Sequence, residues 1–197
     1  GSDLIEYRVY DGVDYSNTSP INIIVNPIND APILSDIDDQ SMDEDGVFTY
    51  ELVATDVDDT DLSYSATVDG NASVNVMGST LTITPNLNYN GDITVDVTVS
   101  DGELTDNDSF VLTVNPVNDP PVANAFADTT DEDSSVSFEL TGSDIEEVAL
   151  TFSILDSTAH GTLAGILPSL TYTPEDNYFG ADSFTFTVND GEYLDTA

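Results

Sequence analysis

Ile93-Thr94-Val95-Asp96-Val97-Thr98-Val99 alternates branched apolar residues with Thr and Asp without a break. Alternation at period two puts every apolar side chain on one face of an extended chain, so this stretch reads as a strand with one buried face. Ser100-Asp101-Gly102 follows as a turn signal, and a further strand is expected over 105–114. Moving back from Ile93, Leu81-Thr82-Ile83-Thr84 alternates in the same way, with Gly, Asn, Asp and Pro between the runs. The full set expected in this part of the chain is 37–42, 46–54, 61–68, 72–77, 79–84, 92–100 and 105–114. No segment has a helical period. Seven short strands in about 90 residues predict an all-β fold, a β-sandwich of immunoglobulin-like topology.

The same signals recur along the chain. Val9-Tyr10-Asp11-Gly12, Val99-Ser100-Asp101-Gly102 and Val188-Asn189-Asp190-Gly191 are one motif three times, at steps of 90 and 89 residues. Val25-Asn26-Pro27-Ile28-Asn29-Asp30-Ala31-Pro32 returns 89 residues on as Val114-Asn115-Pro116-Val117-Asn118-Asp119-Pro120-Pro121. Asp43-Glu44-Asp45 returns as Asp131-Glu132-Asp133, and Asn88-Tyr89-Asn90-Gly91 is echoed in Asn177-Tyr178-Phe179-Gly180. A period of this length marks tandem sandwiches joined by short linkers. The expected organisation is residues 3–26 as the last two strands of a preceding repeat, 27–115 as a complete repeat, and 116–197 as a repeat lacking its last strand. A lone strand pair exposes an edge and an apolar face. It belongs either to a fragment with frayed ends or to a head-to-tail exchange of strands between molecules.

Charge narrows the function. The chain has 197 residues, with 39 Asp and Glu against a single Lys or Arg, a formal net charge of −38. The one basic residue is Arg8. Nucleic acid is excluded as a partner because phosphates need Lys and Arg. Anionic membrane surfaces go with it, and no apolar run reaches the roughly 20 residues that span a bilayer. Without lysine there is neither an isopeptide crosslink nor a Schiff base, and without cysteine neither a disulfide nor a thiolate metal site. Two carboxylates about 4 Å apart repel by about 1 kcal/mol in water and by several times that near a protein surface. A cation is therefore expected wherever they cluster, either a multivalent metal or high external salt.

The acids fall in particular loops. In a seven-strand sandwich the loops after the second, fourth and sixth strands lie at the end where the chain enters. The loops after the first, third and fifth strands lie where it leaves. Asp56, Asp58, Asp59 and Asp61 follow the second strand of the complete repeat, and Asp101 and Glu103 its sixth. Asp144, Glu146 and Glu147 hold the first of these positions in the last repeat, and Asp190 and Glu192 the second. Glu44 lies in a loop at the exit end. Glu44, Asn118, Asp119, Asp144, Glu146 and Asp190 are thus expected to converge on one junction. Asn29, Asp30, Asp56, Asp58 and Asp101 form the corresponding set one repeat earlier. Such a set suits Ca²⁺, which takes six to eight oxygens with tolerant geometry. Zn²⁺ prefers His or Cys, and only His160 is present. Mg²⁺ wants a small octahedron and keeps its waters.

The linker 114–121, the Asp-Glu-Asp starts at 43 and 131, Ala159-His160-Gly161-Thr162-Leu163, Leu170-Thr171-Tyr172-Thr173-Pro174 and the run Asp182–Gly191 together resemble a known family. It is that of bacterial cadherin-like tandem repeats of large surface and RTX-type adhesins, with their dystroglycan-type and bacterial Ig-like modules. The resemblance covers essentially the whole chain. It implies calcium ligands at Glu44 and Glu132, at Asp56-Val57-Asp58 and Asp144-Ile145-Glu146, and at Asp101 and Asp190. Its linker motif Asp-x-Asn-Asp-Asn is similar to Pro116-Val117-Asn118-Asp119-Pro120, with proline at both ends. A Leu-Asp-Arg-Glu motif is absent. Fewer ligands imply one or two weak sites per junction, of the submillimolar to millimolar class, rather than three ions.

No catalytic constellation stands out, and His160 reads as a turn residue, so an enzyme is not expected. Carbohydrate binding is the alternative function, carried by Tyr7, Tyr10, Tyr15 and Tyr64 if these are not simply packing across strands. A purely halophilic use of the acids would spread them over every surface. The expected protein is an extracellular, cell-surface repeat unit stiffened by calcium, with itself or a polysaccharide as partner.

Overall fold

The computed structural model describes residues 2–146 and 148–197. The chain divides into two compact units between Val114 and Asn115. Every element of regular structure among the described residues is a strand.

The first unit opens with an antiparallel hairpin, β1 (Ser2–Tyr7) and β2 (Ser19–Ile24). The repeat that follows contains β3 (Ile33–Leu34), β4 (Gln40–Asp43), β5 (Phe48–Glu51), β6 (Ala54–Thr55), β7 (Ser63–Val68), β8 (Ala72–Met77), β9 (Thr80–Pro85), β10 (Gly91–Ser100) and β11 (Thr105–Asn115). One sheet runs β4-β11-β10-β7 and the other β5-β9-β8, with β3 and β6 as a short additional pair. The alternation in β10 does what its period dictates: Ile93, Val95, Val97 and Val99 are all 0% exposed. Leu81 and Ile83 of β9 meet them from the facing sheet, and Phe110, Leu112 and Val114 of β11 complete the core. The Phe110 ring lies 6.4 Å from both Phe48 and Tyr50. Each such side chain contributes about 1.5–3 kcal/mol by leaving water.

Two expected runs differ from the observed strands. The segment 37–42 is preceded by a separate β3 and enters the ladder only at β4, because the chain changes sheets between them: β3 pairs with β6, β4 with β11. Carboxylates bind backbone amides along that crossing and in β11 beside it. Leu34 N–H donates to Asp106 (2.9 Å), Ile37 N–H to Asp108 (2.7 Å) and Val111 N–H to Asp39 (2.8 Å). The run 46–54 breaks at Leu52 and Val53, where Leu52 N–H donates to Ser79 O and Ser35 N–H to Val53 O.

The second unit repeats the plan with β12 (Val122–Asn124), β13 (Val136–Glu139), β14 (Thr141–Ser143), β15 (Thr151–Asp156), β16 (Gly161–Ile166), β17 (Ser169–Pro174), β18 (Thr185–Asn189) and β19 (Leu194–Thr196). Its sheets are β13-β17-β16 and β15-β18-β19, with β12 paired to β14. After the turn at Asp190-Gly191 the chain folds back on β18 as the three residues of β19. The buried core is smaller: Leu140, Leu170, Phe186 and Val188. Phe126, Phe138 and Phe184 form a ring cluster beside it, with Phe138 4.9 Å from Phe126 and 5.6 Å from Phe184.

Candidate metal centre

The Asp-Gly motif is first of all a turn. Asp101 accepts the N–H groups of Glu103 and Leu104, each at 2.7 Å, on one oxygen. Asp190 accepts those of Glu192 at 2.6 Å and Tyr193 at 2.7 Å, and Asp11 those of Val13 and Asp14, each at 2.8 Å. The next residue has a φ of +102° at Gly12, +103° at Gly102 and +112° at Gly191, a region that favours glycine. The N–H groups of Leu104 and Glu103, then the Asn29 amide, hold Asp101 below the ordinary carboxylate value of 3.8. At Asp190 burial pushes upward, but the Asn118 amide and the Glu192 and Tyr193 N–H groups outweigh it, and the net shift is down. A depressed folded value means these turns contribute fully above the unfolded pKa and lose their contribution as pH falls through the folded one. Unfolding free energy should therefore be flat near neutrality and fall below about pH 4. Asp190→Asn should flatten that fall in a pH series of urea titrations.

The second oxygen of each turn aspartate reaches the linker. Asn29 Nδ2 donates to Asp101 Oδ2 and Asn118 Nδ2 to Asp190 Oδ2, both at 2.8 Å. Beside them Asp30 N–H donates to Asp58 (2.9 Å), while Asp58 and Asp59 N–H donate to Asp56 Oδ1 at 2.7 and 2.9 Å. The second unit has the same design: Asp119 N–H donates to Glu146 (3.2 Å) and Glu146 N–H to Asp144 Oδ1 (3.0 Å). Linker and loops are thus drawn together within each unit, Asn29, Asp30, Asp56, Asp58 and Asp101 in the first, Asn118, Asp119, Asp144, Glu146 and Asp190 in the second. Glu147 lies outside the described residues. Glu44 belongs to the first unit, in the turn after β4, and is only 6% exposed.

Three carboxylate oxygens in these two sets are buried with no hydrogen-bond partner: Asp56 Oδ2, Asp119 Oδ2 and Asp144 Oδ2. Asp56 and Asp144 are equivalent positions of the two repeats. Leaving a charged acceptor buried and unpaired costs several kcal/mol, so each orphan is a place where a cation is stabilising. Hard carboxylate oxygens with amide and backbone oxygens nearby are a donor set that fits Ca²⁺. Among the described residues, no three His, Cys, Asp or Glu side chains are already gathered as a finished metal site.

Other acids have a different task, which the sequence did not reveal. Asp45 and Asp133, the third residues of the Asp-Glu-Asp motifs, accept the N–H of Asn88 (3.0 Å) and Asn177 (2.8 Å) and staple one loop to another. Asp195 binds Ala123 N–H at 2.9 Å, as Asp106 binds Leu34 in the first repeat. Backbone amides thus partner many carboxylates that were expected to need a cation. The only sign in the sequence was recurrence at the repeat step.

The Ala-His-Gly-Thr-Leu motif is also structural. Asp182 accepts N–H groups from Ala159, His160 and Ser183 and the hydroxyl of Tyr172, at 2.9–3.0 Å. Burial and this carboxylate push the Tyr172 hydroxyl up to about 12. The Tyr172 ring lies where a Cβ on Gly161 would stand, so that position takes glycine. His160 stacks on Tyr178 with centroids 4.3 Å apart. Asp182→Ala should cost the second repeat about 1–2 kcal/mol in urea unfolding.

Tyr10 and Tyr15 pack across the first hairpin with centroids 4.6 Å apart, and Arg8 lies 4.1 Å over the Tyr15 ring. Tyr64 packs on the first core.

The profile of the bacterial Ig domain matches residues 29–115 and again 118–197. No curated protein matches the chain. Among solved structures, mouse protocadherin-24 EC1-3 is similar over 100% of this chain and 77% of its own, at 12% identity and a TM-score of 0.50. Human protocadherin-24 EC1-2 is 17% identical, with 86% of this chain and 93% of its own covered and a TM-score of 0.47. An endo-fucoidan hydrolase of glycoside hydrolase family 107 is 18% identical over 100% of this chain, with a TM-score of 0.38, and the chain spans 33% of its length. The mouse likeness is one of fold.

Proposed function

Because the chain belongs to the bacterial Ig domain family, in two tandem copies, we propose that it is a calcium-binding repeat segment of an extracellular adhesin. The observation that carries this reading is the buried, unpartnered Oδ2 atoms of Asp119 and Asp144, on a linker and a loop already joined by hydrogen bonds. Asn118, Asp119, Asp144, Glu146 and Asp190 would hold one ion, and Asn29, Asp30, Asp56, Asp58 and Asp101 another. The ion supplies positive charge where like charges otherwise repel. The residues supply its oxygens from linker and loop together, so the linker loses freedom and a string of repeats stiffens. A stiff string suits surface attachment or cell adhesion, and the role is mechanical rather than enzymatic.

Calorimetric titration of CaCl₂ into the full chain tests this. Saturable binding in the submillimolar to millimolar range, weakened by Asp144→Asn, is expected. No binding heat at any temperature, together with unchanged NMR shifts at 118–119 and 144–146, overturns it.

The Tyr10–Tyr15 pair supports a second reading, a polysaccharide-binding surface, since both rings are more than half exposed (53% and 59%). Glycan binding that disappears in Tyr15→Ala and persists in chelator would favour it over the first.

A further inference from the structure

We infer that β8 of the first repeat is a docking edge, and that its occupant is β8 of a second copy of this chain, paired antiparallel about a two-fold axis. Charge is nearly absent from two equivalent stretches of the sequence. Between Asp61 and Asp92 the one charged residue is Asp69, and between Glu147 and Glu175 the one acid is Asp156. Nearly all of the 39 carboxylates therefore lie outside β7–β9 and β15–β17. Sheet edges are normally guarded by charge, proline or a distorted backbone. In the first sandwich β4 follows Asp36, Asp38 and Asp39 and ends in Asp43, β5 follows Asp43-Glu44-Asp45 and ends in Glu51, and β7 lies between Asp61 and Asp69. The edge strand β8, Ala72-Ser73-Val74-Asn75-Val76-Met77, contains no charge, proline or glycine and keeps a regular register on β9. Six such residues are a strong template for another strand. Its equivalent β16 is less so, because Gly165 holds a φ of +137°, outside the strand region.

The geometry of β8 fixes how a second copy would pair. β8 and β9 join through the two residues Gly78-Ser79, so Met77 and Thr80 form the closing hydrogen-bonded pair. Alternation then turns the N–H and C=O groups of Ser73 and Asn75 toward β9 and those of Val74 and Val76 away from it, to the open edge. The side chains of Ser73, Asn75 and Met77 are exposed, Met77 to 76%, while Val74 and Val76 pack on the core. Pairing must set exposed side chains opposite exposed ones, since a slip of one residue turns the valines to water. A two-fold axis through Asn75 does this. Val74 of each copy exchanges main-chain bonds with Val76 of the other, Ser73 faces Met77, and the two Asn75 amides meet. No acid enters the new ladder. Glu51 stands two strands in from the edge, bound by the Ser79 and Thr80 hydroxyls, and Asp69 lies six residues before Asn75. With −38 on each copy, acidic surfaces repel and the neutral edge is where two copies can approach. The contact is isologous and stops at a dimer, and added salt should strengthen it.

Sedimentation of the full chain with EDTA in about 0.5 M NaCl, from about 10 µM to about 1 mM, should show the weight-average mass rising toward twice the monomer value and no further. Asn75→Asp and Asn75→Lys each set like charges opposite one another at the axis, so each alone should stay monomeric, and an equimolar mixture of the two should form dimers. Ala164→Asp, the equivalent change on β16, should associate like wild type. A wild-type chain that stays monomeric throughout overturns the inference. So does Asn75→Asp associating like wild type, a mixture that stays monomeric, or loss of association in Ala164→Asp. Shifts of the β8 amide signals when dextran is added to a monomeric chain would give the edge to a neutral glycan, and overturn the inference as well.

Discussion

Phe110→Ala should destabilise the first repeat by about 3–5 kcal/mol, read as a lowered midpoint in urea with near-ultraviolet circular dichroism as the probe. Phe110 is 2% exposed and lies against Phe48 and Tyr50 of the facing sheet, so truncation removes its transfer energy and leaves a cavity between the sheets. Against a total stability of about 5–15 kcal/mol for a small domain, that loss brings the repeat near unfolding. The buried core of the second repeat is made without Phe110, so unfolding should be confined to signals of the first. Asp96→Asn, on the outward face of the neighbouring β10, should change stability by less than about 0.5 kcal/mol. A cost under about 1 kcal/mol for Phe110→Ala would mean that β11 does not seal the sandwich.

Calcium should act on the other end of the energy scale, through linkage. For a site with Kd between about 0.1 and 1 mM, about 10 mM CaCl₂ stabilises by about 1.4–2.7 kcal/mol per ion. For domains of this size that is a rise in Tm of about 5 °C or more, accompanied by slower proteolysis. NaCl at matched ionic strength should do much less, since exposed charges are already screened over about 10 Å at 0.1 M. Asp144→Ala should remove much of the calcium increment, whatever it does to the metal-free protein. It deletes one orphaned oxygen, and the readout is the difference with and without the ion. Asp96→Asn should leave the increment intact. Equal stabilisation by NaCl would reduce the acids to screened surface charge.

Legibility differed among residues for physical reasons. Alternation in β10 and β9 was visible because period two is a local property of the backbone, and each side chain's face follows from its position. The linker asparagines and the Asp-Gly turns were visible because they recur at the repeat step. β3 was not, because Ile33-Leu34 is only two residues long and has no period of its own. Nothing local in the sequence marked Asp106, Asp108, Asp182 and Asp195. Their partners include backbone amides 22 to 72 residues away, and no local pattern encodes those contacts.

Composition and period by themselves determined that this chain is a tandem of sandwiches, rich in oxygen ligands and nearly devoid of cations. These properties depend only on which residues occur and at what spacing. Which carboxylates are satisfied by amides and which keep a buried oxygen free was decided by tertiary structure alone. Every Asp carries the same two oxygens, and only the folding of linker against loop puts Asp56, Asp119 and Asp144 where one of theirs finds no donor.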